Sequence, residues 1–135
     1  MAKKIAEIEG IGPVFAEKLS KAGVLTVEGL LEKGASRTGR KNIAEESGID
    51  EGKILNWVNK ADLFRIKGVG PQFSELLEAA GVDTVPELKQ RNAKALYDTL
   101  VTTNEQKKLV RKLPTKDQVT DWIKQAKSLS RVVEY

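Results

Sequence analysis

The chain has 135 residues, 40% apolar and 31% charged, with net charge +4 and a pI near 9.3, which allows one domain or two very small ones. Cysteine and histidine are absent, excluding disulfides, zinc fingers, thiol nucleophiles, imidazole bases and Ser-His-Asp catalysis. Residues 1–63 hold 10 Lys/Arg against 10 Asp/Glu and residues 64–135 hold 13 against 9, so the whole excess lies in the second half, a balance compatible with nucleic acid without requiring it.

The N-terminus, Met1 to Glu9, lacks the apolar core of a signal peptide, and no apolar run approaches the roughly 20 residues that span a bilayer; a soluble cytoplasmic protein with no membrane partner is the expectation. No segment reads as a strand. Gly12 and Pro13 open a first helix that should run to Ala22 and stop at Gly23. Thr26 caps a short helix over Val27–Lys33, and a third helix follows Thr38 and ends near Gly48. Asp50 caps a longer helix, Glu51 to Leu63, whose apolar stripe is Ile54, Trp57, Val58 and Ala61.

The chain then repeats itself. Ile8-Glu9-Gly10-Ile11-Gly12-Pro13 returns as Ile66-Lys67-Gly68-Val69-Gly70-Pro71, a shift of 58 residues. At that shift Phe15 meets Phe73, Leu19 meets Leu77, and Ala22-Gly23-Val24 meets Ala80-Gly81-Val82. Gly70, Pro71 and Gly81 therefore bound a second copy of the first helix. Thr84-Val85-Pro86-Glu87 reads as a capping box, and a counterpart of the third helix starts near Asn92. Thr115-Lys116-Asp117-Gln118 is a further capping box, opening a helix to about Ser128 with Val119, Trp122, Ile123 and Ala126 on its stripe. Trp122 matches Trp57 at a shift of 65, so the second copy gains seven residues, expected around Asn104–Pro114. Phe15, Phe73, Trp57 and Trp122 are expected in the core.

Residues Ile8–Leu30 and Ile66–Leu88 resemble helix-hairpin-helix motifs. The pattern Gly-Ile-Gly-Pro…Ala-Gly-Val…Thr-Val-Glu is also similar to the N-terminal helical domain of strand-exchange recombinases. Over nearly its full length, through Gly39-Arg40-Lys41, Trp57 to Leu63, Arg65 to Gly70, Lys108 to Arg111 and Arg131-Val132-Val133, the chain resembles domain-of-unknown-function family 4332. The resemblance implies an all-α fold of two tandem helix-hairpin-helix (SAM-like) repeats, 1–64 and 65–129, fused into one compact body without a flexible linker. Residues 130–135 form a tail expected to fold back as a cap.

Glycines at this spacing turn the chain tightly and expose amides, and the following helix adds free N–H donors and a positive dipole end. Such a cradle takes a phosphate oxygen without reading a base. The second hairpin is the expected working site: Arg65, Lys67, Gly68, Val69 and Gly70 combine glycines with cations. Gly10 and Gly12, beside Glu7 and Glu9, are expected to be largely architectural. Lys107, Lys108, Arg111 and Lys112, at spacings of one and four, are expected to share a helix face. Arg37, Arg40 and Lys41 form a second cationic group. The structural alternative for each glycine turn is a tight joint between packed helices, and for each basic group a solvated face. Helix-hairpin-helix glycosylases that form a Schiff base need a lysine shortly after the second glycine and a downstream aspartate; here Pro-Val-Phe and Pro-Gln-Phe follow, and no carboxylates cluster for two metals. The chain is therefore read as no enzyme, with no cofactor, metal or small-molecule substrate. The leading expectation is a non-catalytic module gripping the backbone of DNA or RNA without sequence preference. The alternative is a protein-interaction scaffold using the last helix and the Val132-Val133 tail.

Overall fold

Most helices of the computed structural model, which describes residues 3–135, start where a short polar side chain or a Gly-Pro step can satisfy or remove the first free amides. Helix α1 spans Pro13–Lys21 after Gly12, and α5 spans Pro71–Ala79 after Gly70. Thr26 Oγ1 accepts from the Gly29 amide to start α2, Val27–Gly34. Asp50 Oδ2 accepts from the amides of Gly52 and Lys53 and opens α4, Glu51–Leu63. Asn92 Oδ1 caps α7, Ala93–Lys107. The capping box of Thr115 and Gln118 forms as expected before α8, Lys116–Lys127.

Two starts differ from the sequence reading. Helix α3, Arg37–Ser47, is capped by Ser36, whose hydroxyl accepts from Gly39, and not by Thr38. At α6, Val85–Lys89, Thr84 makes no side-chain cap bond; Pro86 removes one of the two amides such a cap can reach, and the Thr84 side chain is buried instead. A 3-10 turn, Ile5–Glu7, precedes α1. Among the described residues the fold is all-α, with a single isolated bridge between Lys4 and Thr26. None of its helices is long and apolar enough to cross a membrane. Met1 and Ala2, the first two residues of the expected 1–64 repeat, lie outside the described residues.

The chain divides into two units, residues 1–62 with 132–135, and residues 63–131. In the first, α1 and α2 both pack on α3, and Leu19, Val24, Leu30, Ile54 and Val58 are almost fully removed from solvent. In the second, α6 and α7 pack on α8 and α5 on α7, around Ile66, Leu76, Leu77, Leu88, Leu100 and Trp122. Small details repeat as well. Lys33 Nζ donates to the Gly23 carbonyl in the first unit, and Arg91 Nη2 donates to the Gly81 carbonyl in the second. Thr26 to Ser36 spans ten residues and Thr84 to Asn92 only eight. The later gain lies in α7, 15 residues against 11 in α3, and in the loop after it.

Residues Val132–Tyr135 belong to the first unit. The Glu134 amide donates to the Ala35 carbonyl at 2.7 Å, the Tyr135 hydroxyl donates to Asn59 Oδ1 at 2.9 Å, and Val133 is buried. Val133 is therefore spent within the fold and does not supply the exposed apolar surface expected of a protein-docking tail.

Candidate nucleic-acid interface

The two glycine elbows share one backbone. Gly10 has φ +97° and Gly68 φ +96°, a conformation that disfavours any side chain. Gly12 and Gly70 are extended and cap α1 and α5. The Ile11 and Val69 amides close each turn onto the Ile8 and Ile66 carbonyls at 3.1 Å, and both side chains plug the core. A tryptophan supports each elbow from below. A Cβ on Gly10 would lie 3.4 Å from Trp57 Nε1, and one on Gly68 would lie 3.1 Å from Trp122 Nε1. Phe15 and Phe73 complete the pairs, at centroid distances of 5.1 and 5.3 Å. The two tryptophans lie in the core as the repeat implied, whereas Phe15 and Phe73 are half-buried against them. Gly68→Ala is expected to cost about 1–2 kcal/mol, from positive φ and the closer indole; urea unfolding checks this, and an unchanged midpoint would contradict it.

The second elbow has one further clamp. Gln125 Oε1 accepts from the Lys67 amide at 2.8 Å, while Gln125 Nε2 donates to the Lys67 carbonyl at 3.0 Å and to Asp121 Oδ2 at 2.8 Å. The amides of Lys67 and Val69 are thus consumed inside the protein. No described residue accepts from the amides of Gly68, Gly70, Gln72 or Phe73. Lys67 and Gly68 are exposed. Of the expected binding set here, Gly68 and Gly70 offer amides, Lys67 offers its side chain, and Val69 offers nothing. Arg65 is engaged through Nη2, which donates to the Ser130 carbonyl at 2.8 Å.

The first elbow is better supplied with cations than its Glu9 suggested. Lys60, at the position equivalent to Gln125, donates from Nζ to the Glu9 carbonyl at 3.3 Å. Lys18 and Lys53 place their ammonium groups 5.8 and 5.9 Å from the Phe15 ring centroid. Gly10, Lys53, Trp57 and Lys60 line one cleft of about 410 Å³ together with the carboxylates of Glu9 and Asp50. Gly10 and Gly12 are exposed, and no described residue accepts from their amides. Sequence reasoning missed these three lysines, although a signal existed: Lys53 and Lys60 stand four before and three after Trp57, and Lys18 three after Phe15. The equivalent positions in the second unit are Gln118, Gln125 and Leu76, so its cation sits on the elbow and not on the flanking helices.

Two other expected groups are corrected. Lys107, Lys108, Arg111 and Lys112 do not share a helix face. Helix α7 ends at Lys107, and Lys108 adopts φ +51°, the sole non-glycine residue with positive φ among those described. Asn104 holds this turn: its side chain donates to the Val110 carbonyl and accepts from the Val110 amide, both at 3.0 Å. All four cations are exposed, Lys107 at the end of α7 and the other three on the loop that follows. Arg40 is not a surface cation at all. It is 6% exposed, with Nη1 donating to the Gly34 and Ala35 carbonyls and Nη2 to the Glu134 carbonyl at 2.7 Å. Lys41 remains exposed. Among the described residues no three His, Cys, Asp or Glu side chains gather as metal ligands.

The family model that matches, described as a domain of unknown function (DUF4332), covers residues 9–129. No curated protein and no solved structure matches the chain. The chain belongs to the DUF4332 family.

Proposed function

We propose that this DUF4332 protein is a tandem helix-hairpin-helix module that holds nucleic acid, without catalysis, through the sugar-phosphate backbone. The observation that carries the reading is the second elbow: exposed Gly68 and the start of α5 present four amides with no protein acceptor, beside the free side chain of Lys67. Amides pinned by glycine and helix geometry suit an anionic oxygen, and Lys67 adds charge without specifying a base. The first elbow repeats the amide geometry and draws its charge from the exposed Lys18 and Lys53, while Lys60 is buried and held by the Glu9 carbonyl. The exposed cations Lys107, Lys108, Arg111 and Lys112, at and beyond the end of α7, add long-range attraction, and not as a helical stripe.

Such binding is weak and salt-dependent. Gel retardation with mixed-sequence DNA should give dissociation constants of about 10⁻⁴–10⁻⁶ M, with log K falling by about 0.9 for each phosphate contacted. The slope with duplex or single strand reports how many phosphates are engaged. Lys67→Glu should weaken both forms and flatten the salt slope by about one contact, leaving the unfolding midpoint in place. Absence of any retarded band at low salt would remove the function. An unaltered slope in Lys67→Glu would remove the second elbow from it.

A further inference from the structure

The two units treat one surface differently. In the first, the Val132–Tyr135 segment lies against the end of α2, the start of α3 and one side of α4, held through Ala35, Arg40 and Asn59. The matching place in the second unit lies between the start of α7 and one side of α8. Matched through the caps Ser36 and Asn92 and through the two tryptophans, Arg40 becomes Leu96, Leu55 becomes Thr120 and Asn59 becomes Lys124. No segment of the second unit covers this place, and a cleft of about 310 Å³ opens there. Ala93 and Ile123 contribute its apolar surface, and Arg91, Lys124 and Lys127 its charge. No carboxylate lines it.

We propose that this cleft on the second unit is a docking seat for an extended acidic peptide from a partner protein. Its shape class comes from the first unit, where the matching surface already holds the four non-helical residues Val132–Tyr135. Its selectivity comes from what changed. The first seat grips backbone: the Ala35 carbonyl takes the Glu134 amide, and the Arg40 guanidinium takes the Glu134 carbonyl. The second lacks the guanidinium, because leucine stands at the position of Arg40. Lys124 and Lys127 are exposed and carry no hydrogen bond or ion pair to a described residue. A segment seated here would be recognised through its acidic side chains, with an apolar residue resting on Ala93 and Ile123. Arg91 is held at the seat's edge by Glu87, at 3.1 Å. The inference is independent of phosphate binding at the elbows, since it uses none of those residues.

The probe is the synthetic peptide acetyl-Glu-Val-Val-Glu-Tyr, titrated into the isotopically labelled full chain and followed by amide chemical shifts. Saturating shifts at Ala93, Thr120 and Lys124, absent with acetyl-Lys-Val-Val-Lys-Tyr, would support the seat. The Lys124→Glu/Lys127→Glu double variant should then weaken binding about tenfold, since two exposed charge pairs together contribute on the order of 1–2 kcal/mol. These two lysines are exposed, so the variant should stay folded, and its unperturbed spectrum elsewhere verifies this. No shift at these residues with millimolar peptide would overturn the proposal. So would equal shifts from both peptides, or shifts from an oligothymidylate alone, which would make the cleft a nucleic-acid surface.

Discussion

Trp122→Ala is expected to lower the stability of the second unit by about 3–5 kcal/mol, as large truncations of buried aromatics do. Trp122 is 2% exposed, stacks obliquely on Phe73 and stands directly beneath Gly68. Removing the indole opens a cavity and takes away the floor of the elbow together. The unit spans 69 residues, and at roughly 0.05–0.15 kcal/mol per residue its total stability is on the order of 3–10 kcal/mol. The variant should therefore lose most of its hydrogen-exchange protection in α5 and α8 at 25 °C. Trp122→Phe retains a ring against Phe73 and should recover more than half of the loss. Exchange in α8 that stays at the native rate in Trp122→Ala would show that the indole is not the keystone of this unit.

Arg40→Ala should be nearly as damaging in the first unit, for a different reason. The guanidinium is buried and donates to three carbonyls, two at the end of α2 and one 94 residues along the chain. Its removal takes this donor from the Gly34 and Glu134 carbonyls, while the Ala35 carbonyl keeps the Glu134 amide, and charged hydrogen bonds contribute about 1.5–3 kcal/mol each without adding fully. A net loss of about 3 kcal/mol follows. Arg40→Lys should restore little, because a single ammonium cannot reproduce a planar fork that addresses both sites. The sensitive readout is the Glu134 amide, which donates to Ala35. Its exchange should accelerate in both variants. Unchanged protection there would mean that burial of Val133 alone holds the segment.

The contrast between these two residues shows what local sequence carries. Trp122 announced itself: an aromatic on a helical stripe, repeated at Trp57, had to be core. The caps at Thr26, Asp50, Asn92 and Thr115 were readable for the same reason, since each acts within three residues. In sequence Arg40 groups with Arg37 and Lys41 in what reads as a loop entering a helix, a setting that suggests a surface cation. Its burial depends on carbonyls left free at the end of α2 and on a segment arriving from the far end of the chain, neither visible in a local window. The basic stretch from Lys107 to Lys112 has helical spacing and good helix formers. What defeats it is the Asn104 side chain, which supplies a competing bond to the backbone of Val110, together with Pro114, which discourages helix at Leu113. The Gln125 clamp on Lys67 spans 58 residues and left no sequence trace. The lysines around Phe15 did leave one, in the spacing about Trp57, but the opposite charge of Glu9 within the hairpin masks it.

One arrangement described above makes the molecule its own instrument. Its only two tryptophans fall one to each unit, each with its ring nitrogen against the first glycine of an elbow. Single-tryptophan variants, Trp57→Phe or Trp122→Phe, would therefore carry an intrinsic fluorophore at a known turn. Emission wavelength and quenching would register occupancy or loosening of that turn alone, so the two halves can be titrated separately without any attached dye.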